Sequence, residues 1–100
     1  KERASVAYLV LLLAGALLCN AIPHLAAGLR GEPFPTPFSR PRGVGLSTPL
    51  MNFYWGSANL LIGISALLSY SLRTYGIWPV IAGWLVLGSY CAWHFGRVRR

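Results

Sequence analysis

The strongest constraint on this chain is where its charges are missing. Between Arg3 and Arg30 lie 26 uncharged residues, between Arg42 and Arg73 lie 30, and between Arg73 and Arg97 lie 23, together 79 of 100 positions. An ionised side chain at the centre of a bilayer costs about 2.5–3.5 kcal/mol even on the lenient insertion scale, so charge-free runs are where a chain can cross. A helix needs about 20 mostly apolar residues to cover hydrocarbon about 30 Å thick. Each run holds one such helix and none comfortably holds two. The expected fold is therefore all-α: a polytopic membrane protein with three transmembrane helices and a Pro-rich first loop packed on the helix ends.

A soluble domain does not fit. Only 11% of the residues are charged, against about a quarter in soluble domains. The stretch 4–18 is apolar around its whole circumference apart from Ser5, which a surface helix cannot be. The formal charge of +7 invites a nucleic-acid reading, but all nine basic residues flank the apolar runs. That is the pattern of anionic headgroups and the positive-inside rule, with no basic stripe left for phosphate, so no nucleic-acid partner is expected.

The first residue is Lys1, so a preceding segment is expected. Lys-Glu-Arg followed by an apolar run also resembles a signal peptide. The run 4–21 is longer than a usual signal core, and Leu18 stands where a lipoprotein cleavage site before Cys19 would need a small residue. A retained span is the reading adopted, with Cys19 and Cys91 as free thiols inside helices.

Along the single membrane domain, 1–100, helix 1 is expected over about 4–27, a Pro-rich loop over about 28–48, helix 2 over about 49–72 and helix 3 over about 77–95. Gly28 and Gly31 suit a helix stop. Five prolines between positions 33 and 49 forbid a regular helix in the loop. Pro49 suits a first helical turn. Tyr8, Tyr70, Tyr75 and Trp78 are expected to form one interfacial belt, and Phe53, Tyr54, Trp55, Trp93 and Phe95 the other. With three spans, Arg30, Arg40, Arg42, Arg97, Arg99 and Arg100 share one side and Lys1, Arg3 and Arg73 the other. Six against three places the first loop and C-terminus in the cytoplasm of a cell inner membrane.

Lipid tails give helices no hydrophobic drive to associate, so small and polar residues on one stripe mark a packing face. Asn52, Gly56, Asn59, Gly63, Ala66 and Tyr70 follow alternating steps of four and three, the seam of a left-handed bundle. Gly88, Ala92 and Gly96 form a second ladder at four-residue spacing. These faces serve packing within one molecule or a homo-oligomer seam.

Asn20 and His24 stand one turn apart on helix 1 and need polar partners, for which Asn59 and Asn52 are nearest. The plain reading is a hydrogen-bonded clasp between helices 1 and 2. The functional one is a pocket of Asn20, His24, Asn52, Trp55 and Asn59 with Glu32 near it, lidded by the loop. The segment 32–38 supports a lid, because proline stiffens it and Phe34 and Phe38 would not stay in water. His24 and His94 fall at similar depth and suit axial haem ligands. Cys91 and His94, with His24 and Cys19, are a thinner case for a metal. Neither a metal nor another cofactor is expected. No nucleophile–base pair or phosphate loop occurs, and acid–base chemistry would rest on His24, Glu32 or His94, so an enzyme is not expected.

Asn20-Ala21-Ile22-Pro23-His24, then Gly31 through Phe38, then Ser47-Thr48-Pro49 with Asn52 and Trp55-Gly56 resemble a pattern of small uncharacterised bacterial integral membrane proteins. The likeness covers about residues 20–63 and implies that loop and pocket form one unit, without implying an activity. The expected role is a small integral membrane protein acting by helix association, as a homo-oligomer or an accessory subunit of a membrane complex. The alternatives are binding or transport of a small molecule or lipid under the loop, and haem binding through His24 and His94.

Overall fold

Helix 1 carries a seven-residue repeat that organises everything else. Ala7, Ala14, Ala21 and Gly28 lie at one register position, and Leu11, Leu18 and Leu25 at another. A strict heptad gives a left-handed supercoil in which large side chains enter gaps left by small ones. In the computed structural model, which describes residues 2–99, this segment is α1 (Glu2–Leu29). It is followed by α2 (Pro49–Leu68), a one-turn α3 (Leu72–Tyr75) and α4 (Trp78–Val98). Lys1 and Arg100, both used in the charge count, lie outside the described residues. No strand occurs among the described residues; one isolated antiparallel bridge joins Phe34 to Ser47.

α2 lays its own seam on the α1 repeat. Asn52, Gly56, Asn59 and Gly63 are the buried residues of α2, and the two glycines receive α1 leucines. A Cβ on Gly56 would lie 2.8 Å from the Leu25 side chain, and one on Gly63 would lie 3.0 Å from Leu18. Gly28 does the reverse, with Pro49 O 2.8 Å from where its Cβ would be. On the other side of α1 the contact with α4 is tighter still. A Cβ on Gly15 would overlap the Val80 carbonyl, and one on Gly83 would overlap the Leu12 carbonyl. These helices touch backbone to backbone, as small residues permit. α1 is thus the central element, with α2 and α4 each packed along it and scarcely on each other.

Local signals set the ends. α1 stops in a Schellman motif: Glu32 N donates to Ala27 O at 2.9 Å and Gly31 N to Gly28 O at 3.1 Å. Gly31 occupies the left-handed position at φ 72°, which glycine adopts at little cost. Thr48 caps α2 by accepting from Met51 N at 3.1 Å, with Pro49 in the first turn. α2 ends at Leu68, short of the expected residue 72, because Ser71 is extended and its hydroxyl caps α3 through Thr74 N.

The distribution of polarity is the reverse of a soluble domain's. The buried apolar side chains are mostly alanines, while His24, Thr36, Ser39, Asn52 and Asn59 are all buried. Leu61, Leu68 and Val86 lie outside, 62%, 78% and 70% exposed. At the end away from the loop, Tyr8 packs on Tyr75 and Trp78, each at 5.5 Å between centroids. Among the described residues α1, over its Arg3–Leu29 stretch, is the one helix long and apolar enough by composition to cross a membrane. Asparagines and glycines dilute α2, and α4 carries Tyr90, His94 and tryptophans.

Candidate functional site

The loop between α1 and α2 is folded around one residue. The carbonyl of Thr36 accepts from Ser39 N at 3.1 Å, Ser39 Oγ at 2.6 Å and Gly43 N at 2.9 Å. Its hydroxyl pairs with Ser47 Oγ at 2.6 Å and accepts from Phe38 N at 3.1 Å. Phe34 and Ser47 exchange backbone bonds of 3.2 and 3.0 Å, which tie the two ends of the loop together. These bonds satisfy the buried Thr36 and tie the loop to itself; most of the loop is nevertheless exposed, and Phe38, expected to leave water with Phe34, is 58% exposed.

Asn52 attaches this loop to the helices. Its amide nitrogen donates to Phe34 O at 2.9 Å and Thr48 O at 3.0 Å, with Ser47 O at 3.3 Å. Those carbonyls fix the orientation of the amide, because only its NH₂ can face them. Its oxygen therefore faces His24 Nδ1, 2.8 Å away, and Nδ1 must carry the hydrogen. Nε2 of His24 is left as an unshared lone pair, with no hydrogen-bond partner among the described residues. The same logic runs one turn deeper. Asn59 donates to Trp55 O at 2.8 Å, so its oxygen accepts from Asn20 Nδ2 at 3.0 Å. Asn20 Oδ1 is then turned toward Cys91 Sγ at 3.6 Å. On α4, His94 Nε2 donates to Gly43 O at 2.7 Å and its ring stacks on Tyr90.

These groups surround a cavity of about 280 Å³ in the cleft between α2 and α4. Asn20 and His24 of α1 form its floor and Trp55 one wall. Leu87, Tyr90, Cys91 and His94 form the other wall, and Thr36, Arg42 and Gly43 lie in the roof. Phe34 stands 5.5 Å from His24 and 4.7 Å from Phe95, and Phe38 stands 5.1 Å from Trp55, all between ring centroids. The indole Nε1 of Trp55 is buried and has no hydrogen-bond partner among the described residues. A buried donor of this kind ordinarily finds a partner.

Of the six sequence candidates, Asn20, His24 and Trp55 line the cavity. Asn52 and Asn59 are 0% and 2% exposed and act behind it, by fixing the orientation of His24 and Asn20. Glu32 lies outside, in a wider groove of about 680 Å³ with Arg30 and Arg99. It pairs with Arg30 Nη2 at 2.8 Å, and that hydrogen bond, with the charge behind it, holds its carboxyl below the usual range. Arg42, Thr36 and Tyr90 are among the lining residues that were not singled out; only the folded loop brings the first two there. Of the α4 ladder, Gly88 packs against Cys19 Sγ, whereas Ala92 is exposed and Gly96 has open space around it. No group of three His, Cys, Asp or Glu side chains gathers among the described residues. His94 has committed Nε2 to a carbonyl, so a bis-histidine haem site would require that bond to open.

A scan of the chain against protein-family models, curated proteins and solved structures finds no match.

Proposed function

We propose that this is a three-span membrane protein whose largely apolar cavity, roofed by the first loop and carrying a few polar groups, binds a small molecule reached from the bilayer. One observation carries this reading. His24 Nε2, with the proton held on Nδ1 by Asn52, makes no hydrogen bond among the described residues and lines this cavity as a free lone pair. An occupant that donates to it gains about 1 kcal/mol, the net worth of a typical hydrogen bond. Three crossings are supported by the inverted polarity and by the long dimension of 43 Å, close to the 40–45 Å of a bilayer with its headgroups. The first loop and C-terminus would face the cytoplasm.

Native mass spectrometry of the full chain released from mild detergent tests the cavity. The expected result is a bound small molecule that is lost in Leu87→Trp, a substitution that fills the space. Retention of the same mass by Leu87→Trp, or a bare chain in both, rejects the reading. Topology is tested separately with Val44→Cys and Thr74→Cys in a background lacking Cys19 and Cys91. The two should be labelled from opposite sides of the membrane; labelling from one side rejects three spans.

Association is a second reading, favoured by the open face at Ala92 and Gly96, where a second helix can approach closely. Crosslinking through Ala92→Cys in the membrane would detect it as a dimer band.

A further inference from the structure

The cavity's chemistry can be carried to a class of occupant, and the step rests on the cavity reading above. His24 Nε2 offers a lone pair, fixed as such because Asn52 holds the proton on Nδ1. A head that donates a hydrogen bond to this atom is the first requirement. Trp55 Nε1 is sealed from the cavity, and the indole supplies only a wall.

Charge narrows the class further. Arg42 is the charged side chain among the lining residues, it lies in the roof, and it has no ion-pair partner among the described residues. The lining includes no acidic residue. A head that develops negative charge is therefore favoured over a neutral or cationic one. A carboxyl group meets both requirements. Its O–H faces the His24 lone pair, and its charge is complemented by Arg42. Whether the proton rests on the acid or on the imidazole, one hydrogen bond joins the same two atoms.

The way in determines the rest of the molecule. α2 and α4 pack on α1 and scarcely on each other, so the cleft that holds the cavity is not closed between them. Leu87 lies one turn deeper than Cys91 along α4, away from the loop, and Tyr90 is 55% exposed. The volume of about 280 Å³ equals roughly nine waters at about 30 Å³ each, enough for a carboxyl and a few carbons but not for a diacyl lipid. We propose that the cavity binds the head of a single-chain carboxylic acid, a fatty acid, whose tail leaves sideways between α2 and α4 into the bilayer.

Cys91 lines the cavity and Cys19 does not, which provides a reporter. The full chain carrying Cys19→Ala, in phosphatidylcholine nanodiscs, is treated with N-ethylmaleimide, and modification of Cys91 is followed by mass. Oleic acid should slow labelling by about tenfold relative to methyl oleate and oleyl alcohol, the factor one charge-assisted hydrogen bond carries. Butyrate, with the head but no tail, should not protect. Arg42→Gln should bring protection by oleic acid down to that by methyl oleate; Arg42 is exposed, so its replacement does not endanger folding. Equal protection by acid, ester and alcohol overturns the carboxyl assignment, and so does protection by butyrate or by none of the four. If Cys91 is also inert in the folded protein yet reactive in SDS, the accessible cavity itself is wrong, and the reading it rests on fails separately.

Discussion

Replacing Asn52 by leucine tests the linkage between loop, helix α2 and His24 in one step. The three carbonyls that receive its amide keep other partners: Phe34 O accepts from Ser47 N, Ser47 O from Phe34 N and Thr48 O from Asn52 N. What becomes orphaned is the Nδ1 hydrogen of His24, which is 2% exposed. That loss costs about 1–3 kcal/mol. The two hydrogens of the amide add about 0.6 kcal/mol each, the average for hydrogen bonds between membrane helices. Asn52→Leu should therefore destabilise by about 2–4 kcal/mol, summing those contributions. SDS titration of the detergent-solubilised protein, followed by far-ultraviolet circular dichroism, reads this directly. The double variant His24→Phe/Asn52→Leu should recover about 1–3 kcal/mol, since it removes the orphan along with its partner. Nitrogen-15 spectra of wild-type His24 should show hydrogen on Nδ1. A change below about 0.5 kcal/mol for Asn52→Leu, the range of an ordinary surface substitution, or a coupling of zero, would refute the account of how the amide is oriented.

Other consequences can be checked alongside. Gly83→Leu should prevent α1 and α4 from packing, because its Cβ meets the Leu12 carbonyl and no rotamer relieves a backbone overlap; Gly96→Leu should be tolerated, and equal unfolding midpoints for the two would dismiss the close crossing. Gly31→Ala should cost about 1 kcal/mol through its left-handed φ of 72° rather than through any clash; an unchanged midpoint would argue against the Schellman stop. Protein prepared with ample haem should show no Soret band, since His94 Nε2 is held by Gly43 O; a stoichiometric band lost in both His24→Ala and His94→Ala would reverse this. Glu32→Gln should leave thermal unfolding unchanged, because the pair with Arg30 is exposed to solvent on both sides.

Helicity and the places where it fails were legible in the chain by itself. Absence of charge, the prolines between 33 and 49, and Gly31 after a long apolar run act through neighbours a few residues away, so linear order suffices to read them. The break between α2 and α3 was not read, because it depends on a serine choosing to cap one turn rather than extend another. The α1 heptad was present in the sequence but acquires meaning only with Leu25 and Leu18 placed over Gly56 and Gly63. The cavity belongs to tertiary structure in a stricter sense. Arg42 and Thr36 reach it because the loop folds around the Thr36 carbonyl, and bonds between residues 18 and 51 apart in the chain, such as Asn52 to Phe34 and His94 to Gly43, have no local signature. Which nitrogen of His24 carries hydrogen depends likewise on three carbonyls orienting one amide. A sequence names the residues able to donate and accept; only the packed chain decides which of them are left without a partner.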